Sequence, residues 1–276
     1  MFSLHTVLTA RARIRSRLSP TPMRRSFLLS QATGVSLYLK LENLNPTGSF
    51  KVRGALNKLS ATLDEARARG IVTASAGNHG LGTAWAATQL GGMRATIFLP
   101  ETAPQAKIEK FAEFPVTLRF AGASYNDAHH EAVSFEQKTG AQYIGAYADE
   151  EIAAGQGTIA LEVLDALPMA DALLVPIGGG GLISGIAVSA KAINPRIEII
   201  GIQPDASPAL ADSLRDGVCY EEYPAKPTIC DGLAGGIGTL AFDLARAGTI
   251  DRVVTVTEEQ VHDAVFALWQ KEQLVV

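Results

Sequence analysis

The stretch Asn45-Pro46-Thr47-Gly48-Ser49-Phe50-Lys51 is the part of the chain around which the rest is organised. An alternating apolar run before it, residues 36–42, predicts a strand. A proline and a glycine inside the stretch end that strand. Ser49 is a good N-cap, and residues 51–59 have a helical pattern. The sequence therefore predicts that Lys51 lies in the first turn of a helix, directly after a tight loop.

A lysine at the start of a helix is unusual because the helix dipole favours anions at that end. The dipole and partial burial both disfavour the ammonium form, so Lys51 is a candidate for a neutral, nucleophilic amine. Taken by itself, the stretch also fits an ordinary surface lysine. The choice between these interpretations depends on the rest of the chain.

Four consecutive glycines, Gly178 to Gly181, follow a predicted strand at residues 172–177 and precede a predicted helix. Such a run leaves backbone N–H groups bare and permits left-handed backbone angles, so it can close around a phosphate. The helix that follows adds its positive end. No Gly-Lys-Ser/Thr follows, which argues against a nucleotide P-loop. The alternative is a flexible loop.

A third segment, Ser75-Ala76-Gly77-Asn78-His79, has the same strand–turn–helix form. Its backbone amides and the Ser75 hydroxyl can receive a second anion, such as a carboxylate. Asn78 can donate a hydrogen bond to a phenolic oxygen. Asn78 and His79 are, however, also common at the start of an ordinary helix.

Length and composition bound the class of protein. The chain has 276 residues, which suggests one large or two ordinary domains. Apolar residues make up 47% and charged residues 19%, with a net charge of −4, so a globular protein without a nucleic-acid surface is expected. No apolar run approaches the length of a membrane span. Cys219 and Cys230 give no disulfide framework and fit a reducing, cytoplasmic compartment.

Strands and helices alternate steadily along the chain, which predicts parallel sheets with helices on both faces. The N-terminal segment lacks acidic residues up to residue 41 and carries four arginines at alternate positions between 11 and 17. This composition fits a transit peptide, but a helix of the mature fold is the favoured interpretation. His129 and His130 are neighbours on a predicted helix and cannot face one metal site together.

Two further glycine-bearing segments are weaker evidence for function. The segment Gly155-Gln156-Gly157-Thr158 is predicted to begin a helix at the junction of two domains. The pattern Gly236-x-Gly238-x-x-Ala241 matches a dinucleotide-binding fingerprint formally. No strand precedes it, so the match is interpreted as chance.

Together, the three motifs resemble the fold-type II pyridoxal-phosphate enzymes, specifically the threonine/serine dehydratase and serine racemase branch. The resemblance runs from about Pro20 to the last residue. It implies an α/β fold of two doubly wound parallel-sheet domains, similar to the tryptophan synthase beta chain, with the active site between them. The large cofactor-binding domain would comprise residues 1–69 and 141–276, and the small substrate-side domain residues 70–140.

The resemblance also implies the roles of single residues. Lys51 would form the Schiff base with pyridoxal 5'-phosphate and then act as general base. The residues that bind the cofactor would be Phe50, Lys51, Asn78, Gly178, Gly179, Gly180, Gly181 and Leu182. The residues that hold the substrate carboxylate would be Ser75, Gly77, Asn78 and His79. The segment Asp231-Gly232-Leu233-Ala234 also matches and is expected on a loop near the cofactor.

The activity implied is dehydration and deamination of L-threonine or L-serine to a 2-oxo acid and ammonia, by a cytoplasmic homodimer. Racemases of this branch carry a second serine at the position of Ala76, whose methyl group cannot exchange a proton, so elimination is favoured over racemisation. The alternatives are elimination, replacement or racemisation on another β-substituted amino acid. Nothing in the sequence identifies the side-chain pocket.

Two departures from the family pattern affect these expectations. Some relatives bind a divalent metal through acidic residues, but Gln203 and Ala209 stand at those positions here, so no metal is expected. Family members also continue into a Ser-Gly-Ala segment, whereas this sequence stops at Leu274-Val275-Val276. The expectation is a truncated or shortened member, for which a non-catalytic, cofactor-binding role is a further alternative.

Overall fold

The computed structural model describes residues 2–275, which alternate between helices and strands along most of their length. The helices are α1 (Leu4–Ile14), α2 (Phe27–Thr33), α3 (Lys51–Ala61), α4 (Leu63–Arg69), α5 (Asn78–Gln89), α6 (Gln105–Glu109), α7 (Tyr125–Thr139), α8 (Glu150–Ala166), α9 (Gly181–Ile193), α10 (Ala209–Asp216), α11 (Thr239–Arg246) and α12 (Glu258–Glu272). The strands are β1 (Met23–Arg25), β2 (Tyr38–Lys40), β3 (Ile71–Ala74), β4 (Ala95–Leu99), β5 (Thr117–Phe120), β6 (Gln142–Tyr143), β7 (Ala172–Pro176), β8 (Glu198–Pro204) and β9 (Arg252–Val256).

The chain divides into two compact units. We call the unit of residues 5–19 and 45–156 the lysine unit, because it contains Lys51. We call the unit of residues 2–4, 20–44 and 157–275 the glycine unit, because it contains the four consecutive glycines. Each unit has its own parallel sheet, and each is described separately below.

The lysine unit is built on a parallel sheet with the strand order β5-β4-β3-β6. The side chains of strand β3 are small or β-branched, and all of its residues are buried. This is expected for an interior strand covered on both faces. The helix α3 packs on α5 and α8 through close backbone contacts. A Cβ at Gly82 of α5 would lie 3.0 Å from the Lys51 carbonyl carbon, and one at Gly155 of α8 would lie 2.5 Å from the Arg53 carbonyl oxygen.

Helix α1 belongs to the fold of the lysine unit, as the sequence predicts. Ile14 joins the same buried cluster as Val52 and Leu56 of α3. Arg13 donates a 2.7 Å hydrogen bond to the Glu151 carboxylate, which also accepts a bond from the Asn57 side chain. These contacts tie the N-terminal helix to both α3 and α8.

The glycine unit has a parallel sheet with the strand order β7-β8-β9 and a separate antiparallel pair, β1 and β2. The end of α12 is tied to the segment around β1. Arg24 donates to the Glu272 carbonyl oxygen at 2.7 Å and to the Glu272 carboxylate at 3.1 Å. The Ser26 hydroxyl also bonds to this carboxylate. The unit therefore joins segments that are far apart in the sequence.

The predicted α/β class with parallel sheets is confirmed, whereas several local expectations are wrong. The N-cap of α3 is Phe50, while the Ser49 hydroxyl accepts the Lys51 N–H at 3.3 Å. The segment 155–158 lies inside α8, which begins at Glu150. Strand β2 lies within the strand predicted at residues 36–42, whereas β1, its antiparallel pairing with β2, and the helices α2 and α10 were not foreseen.

The division into a large domain (1–69 and 141–276) and a small domain (70–140) stays a prediction. The strands of the lysine-unit sheet lie between Ile71 and Tyr143, but that compact unit also contains residues 5–19, 45–69 and 144–156. Within residues 2–275, no helix combines the length and the apolar character that crossing a membrane requires.

Candidate active site

Lys51 opens α3 as a half-buried residue whose amine is bonded within the lysine unit. The amine donates a 3.1 Å hydrogen bond to the Ala146 carbonyl oxygen and lies 5.4 Å from the centre of the Phe50 ring. Burial lowers the pKa of Lys51 to about 8 from the ordinary value of 10.5. A substantial fraction of the amine is therefore neutral near physiological pH, which is the form that can act as a nucleophile or base.

Close helix packing holds the backbone of Lys51 in place. The absence of a side chain at Gly82 lets α5 approach the Lys51 and Val52 backbone to van der Waals distance. On another side, Gly54 and Gly155 let α3 and α8 cross with their backbones in contact. A glycine inside a helix costs about 1 kcal/mol relative to alanine, so these close approaches are the structural reason for three helical glycines.

His79 is buried on the first turn of α5 and has a fixed protonation state. Its Nε2 lies 3.0 Å from the Ile144 carbonyl oxygen. Burial and, secondarily, the charge of Lys51 lower the pKa of His79 to about 4. The imidazole is therefore neutral at pH 7, with Nε2 carrying the proton that it donates to Ile144. The Thr73 hydroxyl donates to the same carbonyl at 2.7 Å.

The turn between β3 and α5 carries the predicted carboxylate residues. The Ser75 N–H continues the sheet by bonding to the Phe98 carbonyl at 3.0 Å, and the Ser75 hydroxyl accepts the Gly77 N–H at 3.2 Å. Gly77 is the N-cap of α5 and provides no side-chain cap, and Asn78 is exposed. The N–H groups of the first turn of α5 therefore lack a side-chain cap from Gly77 and are suited to binding an anion at this helix end.

In the glycine unit, the tetraglycine turn (Gly178 to Gly181) joins β7 to α9. Gly180 is the N-cap of α9, with the left-handed angle φ = 91° and no side-chain cap. A Cβ at Gly180 would overlap the Cβ of Ala241, and a Cβ at Gly178 would lie 2.8 Å from the Gly232 carbonyl oxygen. Only glycine fits these positions, so the turn keeps its amides uncovered.

The residues that pack under the tetraglycine turn include a motif that sequence reasoning dismissed. Gly238 donates its N–H to the Gly179 carbonyl at 3.0 Å, and Ile237 and Ala241 lie against Gly180. The match at Gly236-x-Gly238-x-x-Ala241 is therefore part of the support of this turn. The small residues at the start of α11 were the sequence feature that could have predicted this close packing. The segment 231–234 lies against Gly178 through Gly232 and Leu233.

One hydroxyl of α9 is buried at the start of the helix. Ser184 is fully buried, and its Oγ has no hydrogen-bond partner among the residues that the structure describes. Helical side chains lean toward the N-terminus of their helix, so Ser184 lies over the turn that contains Gly180 and Gly181. An unused donor beside bare amides is suited to an anionic ligand.

Gln203, which stands where some relatives are expected to have a metal-binding acidic residue, has a structural use. Gln203 is fully buried, and its side-chain oxygen accepts the N–H groups of Leu210 and Ala211, each at 3.1 Å. This amide thereby caps the start of α10. Across residues 2–275, no three His, Cys, Asp or Glu side chains gather closely enough to hold a metal ion.

The predicted residues fall into two groups. The lysine unit contains Phe50, Lys51, Ser75, Gly77, Asn78 and His79, of which Lys51 and His79 are close enough for their charges to interact. The glycine unit contains Gly178, Gly179, Gly180, Gly181 and Leu182 in one turn. Sequence reasoning missed Ala146, Thr73 and Ile144, since backbone acceptors and long-range partners carry no local signal.

Comparison with known proteins identifies relatives over the whole chain. A sequence model of the family described as "Pyridoxal-phosphate dependent enzyme" matches residues 14–276. The chain is 40% identical over 276 residues to the L-threonine ammonia-lyase of Thermotoga maritima, covering all of this chain and 68% of that protein. It is 39% identical over 267 residues to the L-threonine ammonia-lyase of Geobacter sulfurreducens, covering 96% of this chain and 65% of that protein. The chain thus spans about two thirds of the length of these curated relatives.

Among solved structures, that of maize serine racemase superposes with a TM-score of 0.93 at 33% sequence identity. The match covers 99% of this chain and 82% of the racemase chain. The fold is therefore shared with a protein whose name gives a different reaction from that of the ammonia-lyases.

Proposed function

The chain belongs to the family of pyridoxal-phosphate dependent enzymes, and we propose that it is an ammonia-lyase acting on L-threonine or L-serine. The products would be a 2-oxo acid and ammonia, because the water lost in the elimination is regained in the final hydrolysis. The observation that carries the proposal is the buried Lys51 amine, whose pKa is lowered to about 8. The names of the relatives supply the substrate class.

The residues of the tetraglycine turn fit the phosphate of the cofactor. Any side chain at Gly178 or Gly180 would collide with its neighbours, so the amides stay accessible to an anion. The buried hydroxyl of Ser184, which has no partner within residues 2–275, adds a donor, and the start of α9 adds a positive dipole end. The proposal therefore assigns the phosphate to Gly178, Gly179, Gly180, Gly181 and Leu182.

The remaining cofactor contacts are assigned in the lysine unit. Lys51 would bond to the cofactor aldehyde, Phe50 would flank it, and the Asn78 side chain would donate to its phenolic oxygen. When bound, pyridoxal phosphate supplies a ring that accepts the negative charge which develops at the substrate α-carbon.

The residues of the chain then have separate roles. The N–H groups at the start of α5, together with Ser75 and Gly77, would hold the substrate carboxylate. His79 would contribute its backbone N–H, because its imidazole is already bonded to the Ile144 carbonyl. The Lys51 Nζ, once displaced by the substrate amine, would take the α-proton. Ala76, whose methyl group packs beside a buried cluster, cannot return a proton from another face. This favours elimination over racemisation.

Serine racemisation is the second candidate, because the maize racemase shares the fold at a TM-score of 0.93. Elimination or replacement on another β-substituted amino acid is a third, since the substrate side-chain pocket is not identified. A homodimer in the cytoplasm is part of the proposal and rests on the resemblance. Light scattering of the purified chain and cell fractionation test these two points.

The proposed activity is tested by adding substrate to the chain loaded with pyridoxal phosphate. L-Threonine, L-serine, O-acetylserine and 3-hydroxyaspartate are compared for 2-oxo acid formation, while chiral chromatography follows D-serine. Turnover of threonine or serine with release of ammonia supports the proposal. Formation of D-serine without 2-oxo acid would assign racemisation instead. A cofactor absorbance band that none of these amino acids changes would contradict the proposed substrate class.

A further inference from the structure

The segment that follows β6 lies beside Lys51 and is held by side chains as well as by the sheet. Pairing of β6 with β3 ends at Val72 and Tyr143. Ile144 still donates its N–H to the Val72 carbonyl at 2.8 Å. Its own carbonyl, however, accepts from two side chains, the Thr73 hydroxyl at 2.7 Å and the His79 imidazole at 3.0 Å.

These two donors form a rigid support because they are buried. Thr73 is 1% exposed, His79 is 4% exposed and Ile144 is fully buried. Neither donor can exchange its bond for one with water, so each would be left unsatisfied if the Ile144 carbonyl moved. The position of this carbonyl is therefore fixed from two directions.

Two residues further on, the same segment meets the reactive amine. The Ala146 carbonyl oxygen accepts the 3.1 Å hydrogen bond from the Lys51 Nζ. Because only one residue separates Ile144 from Ala146, a displacement of the first carbonyl displaces the second. An amine that donates to a fixed carbonyl also has its lone pair directed away from that carbonyl.

We infer that Thr73 and His79 are positioning residues for the Lys51 amine, acting through the segment Ile144–Ala146. The inference rests on the proposed role of Lys51 as the amine that bonds the cofactor and takes the α-proton. Thr73 is not one of the residues proposed to contact the substrate. It holds the Ile144 carbonyl, and thereby keeps the Ala146 carbonyl where it orients the Lys51 Nζ.

The test compares two matched substitutions, Thr73→Val and Thr83→Val. Both threonines are 1% exposed and lie in the lysine unit. Thr73 loses its bond to Ile144, whereas the Thr83 hydroxyl has no partner among the described residues and loses none. Thr73→Ser retains a hydroxyl and serves as the rescue variant. Circular dichroism and thermal unfolding establish that each variant is folded.

The direct readout is the reactivity of Lys51 in the full chain freed of cofactor. Competitive acetylation is measured between pH 6 and pH 10 by peptide mass spectrometry, with the exposed Lys138 as internal reference. In Thr73→Val the pH midpoint of Lys51 should rise by about half a unit or more, because a loosened segment admits water and reverses the effect of burial. Thr73→Ser and Thr83→Val should keep the original midpoint.

The second readout is the steady-state kinetics of the holoenzyme. Thr73→Val should lower kcat about tenfold and change KM less than about twofold, because the base is misplaced while the substrate contacts remain. His79→Leu removes the other donor to the Ile144 carbonyl. For this variant only the acetylation midpoint of Lys51 is measured and not the kinetics, since the His79 backbone belongs to the proposed carboxylate site.

Each result decides the inference. A Lys51 midpoint that stays unchanged, or falls, in both Thr73→Val and His79→Leu overturns it. A kcat loss in Thr73→Val that Thr83→Val shares equally also overturns it, because the loss is then not specific to the Ile144 bond. If the wild-type chain forms no 2-oxo acid, the proposed function fails, whereas the acetylation shift still tests the positioning of Lys51.

Discussion

The lysine unit and the glycine unit prepare their candidate residues in opposite ways. Around Lys51, the chain encloses a polar group, burying its amine and supplying the Ala146 carbonyl as a partner. At the tetraglycine turn, the chain removes side chains so that backbone amides stay uncovered. A chemically reactive group needs a tuned environment, whereas a held anion needs only directed donors. Substitutions should therefore affect chemistry in the first region and ligand affinity in the second.

The largest effect is expected for Lys51→Ala. Loss of the amine removes both the proposed covalent attachment and the proposed base, so 2-oxo acid formation should fall at least about 10³-fold. The proposed phosphate contacts are in the glycine unit, so noncovalent binding of pyridoxal phosphate should persist and is measured by equilibrium dialysis. Lys138→Ala, at an exposed position, is the control. Retention of more than about a tenth of the activity would contradict the assigned role.

Gly180→Ala should affect affinity rather than chemistry. The new Cβ overlaps Ala241 and is strained at φ = 91°, so we expect about 100-fold weaker cofactor binding and about 2 kcal/mol lower stability. Gly217→Ala is the matched control, because Gly217 has φ = 71° and no heavy atom of the described residues lies within 4 Å of the added Cβ. Fluorescence titration and thermal unfolding measure the two quantities. Equal cofactor affinities of the two variants would refute a phosphate role for Gly180.

His79 should make the chain less stable at acidic pH. Its pKa is lowered to about 4 in the folded chain by burial and by Lys51, against 6.5 when unfolded. Between these values the unfolded state binds a proton that the folded state does not, so stability falls as pH falls from about 6.5 to about 4. The full loss is about 3 kcal/mol.

The measurement is urea unfolding of wild type and His79→Gln at several pH values, with His5→Gln, at an exposed position, as control. The acid-dependent difference should be missing in His79→Gln and present in His5→Gln. Parallel pH dependence in all three proteins would show that His79 is not the group responsible.

Ser184→Ala should give the smallest effect. If the buried hydroxyl donates to the phosphate, its removal costs about 1.5 kcal/mol of binding, or about tenfold in cofactor affinity. Stability without cofactor should stay the same or rise, because the buried hydroxyl that is removed bonds to no residue that the structure describes. Ser189→Ala, which loses a 2.7 Å bond to Gly185 in the same helix, is the control. Unchanged cofactor affinity in Ser184→Ala would remove Ser184 from the phosphate site.

Local patterns predicted much of this fold. The strand predicted at residues 172–177 agrees with β7 to within one residue, since an apolar run ended by glycines is a clear local signal. The start of α3 at Lys51 was also predicted correctly. Glycine was misleading inside α8, where Gly155 was interpreted as a helix start. Its actual reason, the backbone of α3 at 2.5 Å from a Cβ, is a tertiary contact that no local rule contains.

The candidate site was predictable in its residue types but not in its partners. The motifs identified Lys51 and the tetraglycine turn, because a lysine at a helix start and a run of glycines are locally unusual. The acceptor of the Lys51 amine is a backbone carbonyl 95 residues away, and every residue has such a group. The support by Gly238 and Ala241 depends likewise on folding of a distant segment onto Gly179 and Gly180.

The bonds from Arg24 and Ser26 to Glu272 have a consequence for biosynthesis. On the ribosome, the lysine unit has its complete set of residues as soon as residue 156 emerges. Segment 20–44 must wait until Glu272 has been translated before it can form these bonds. The order of emergence therefore favours folding of the lysine unit first. During this interval, β1 and β2 can already pair with each other, but Arg24 and Ser26 lack the Glu272 carboxylate that they bond in the folded chain.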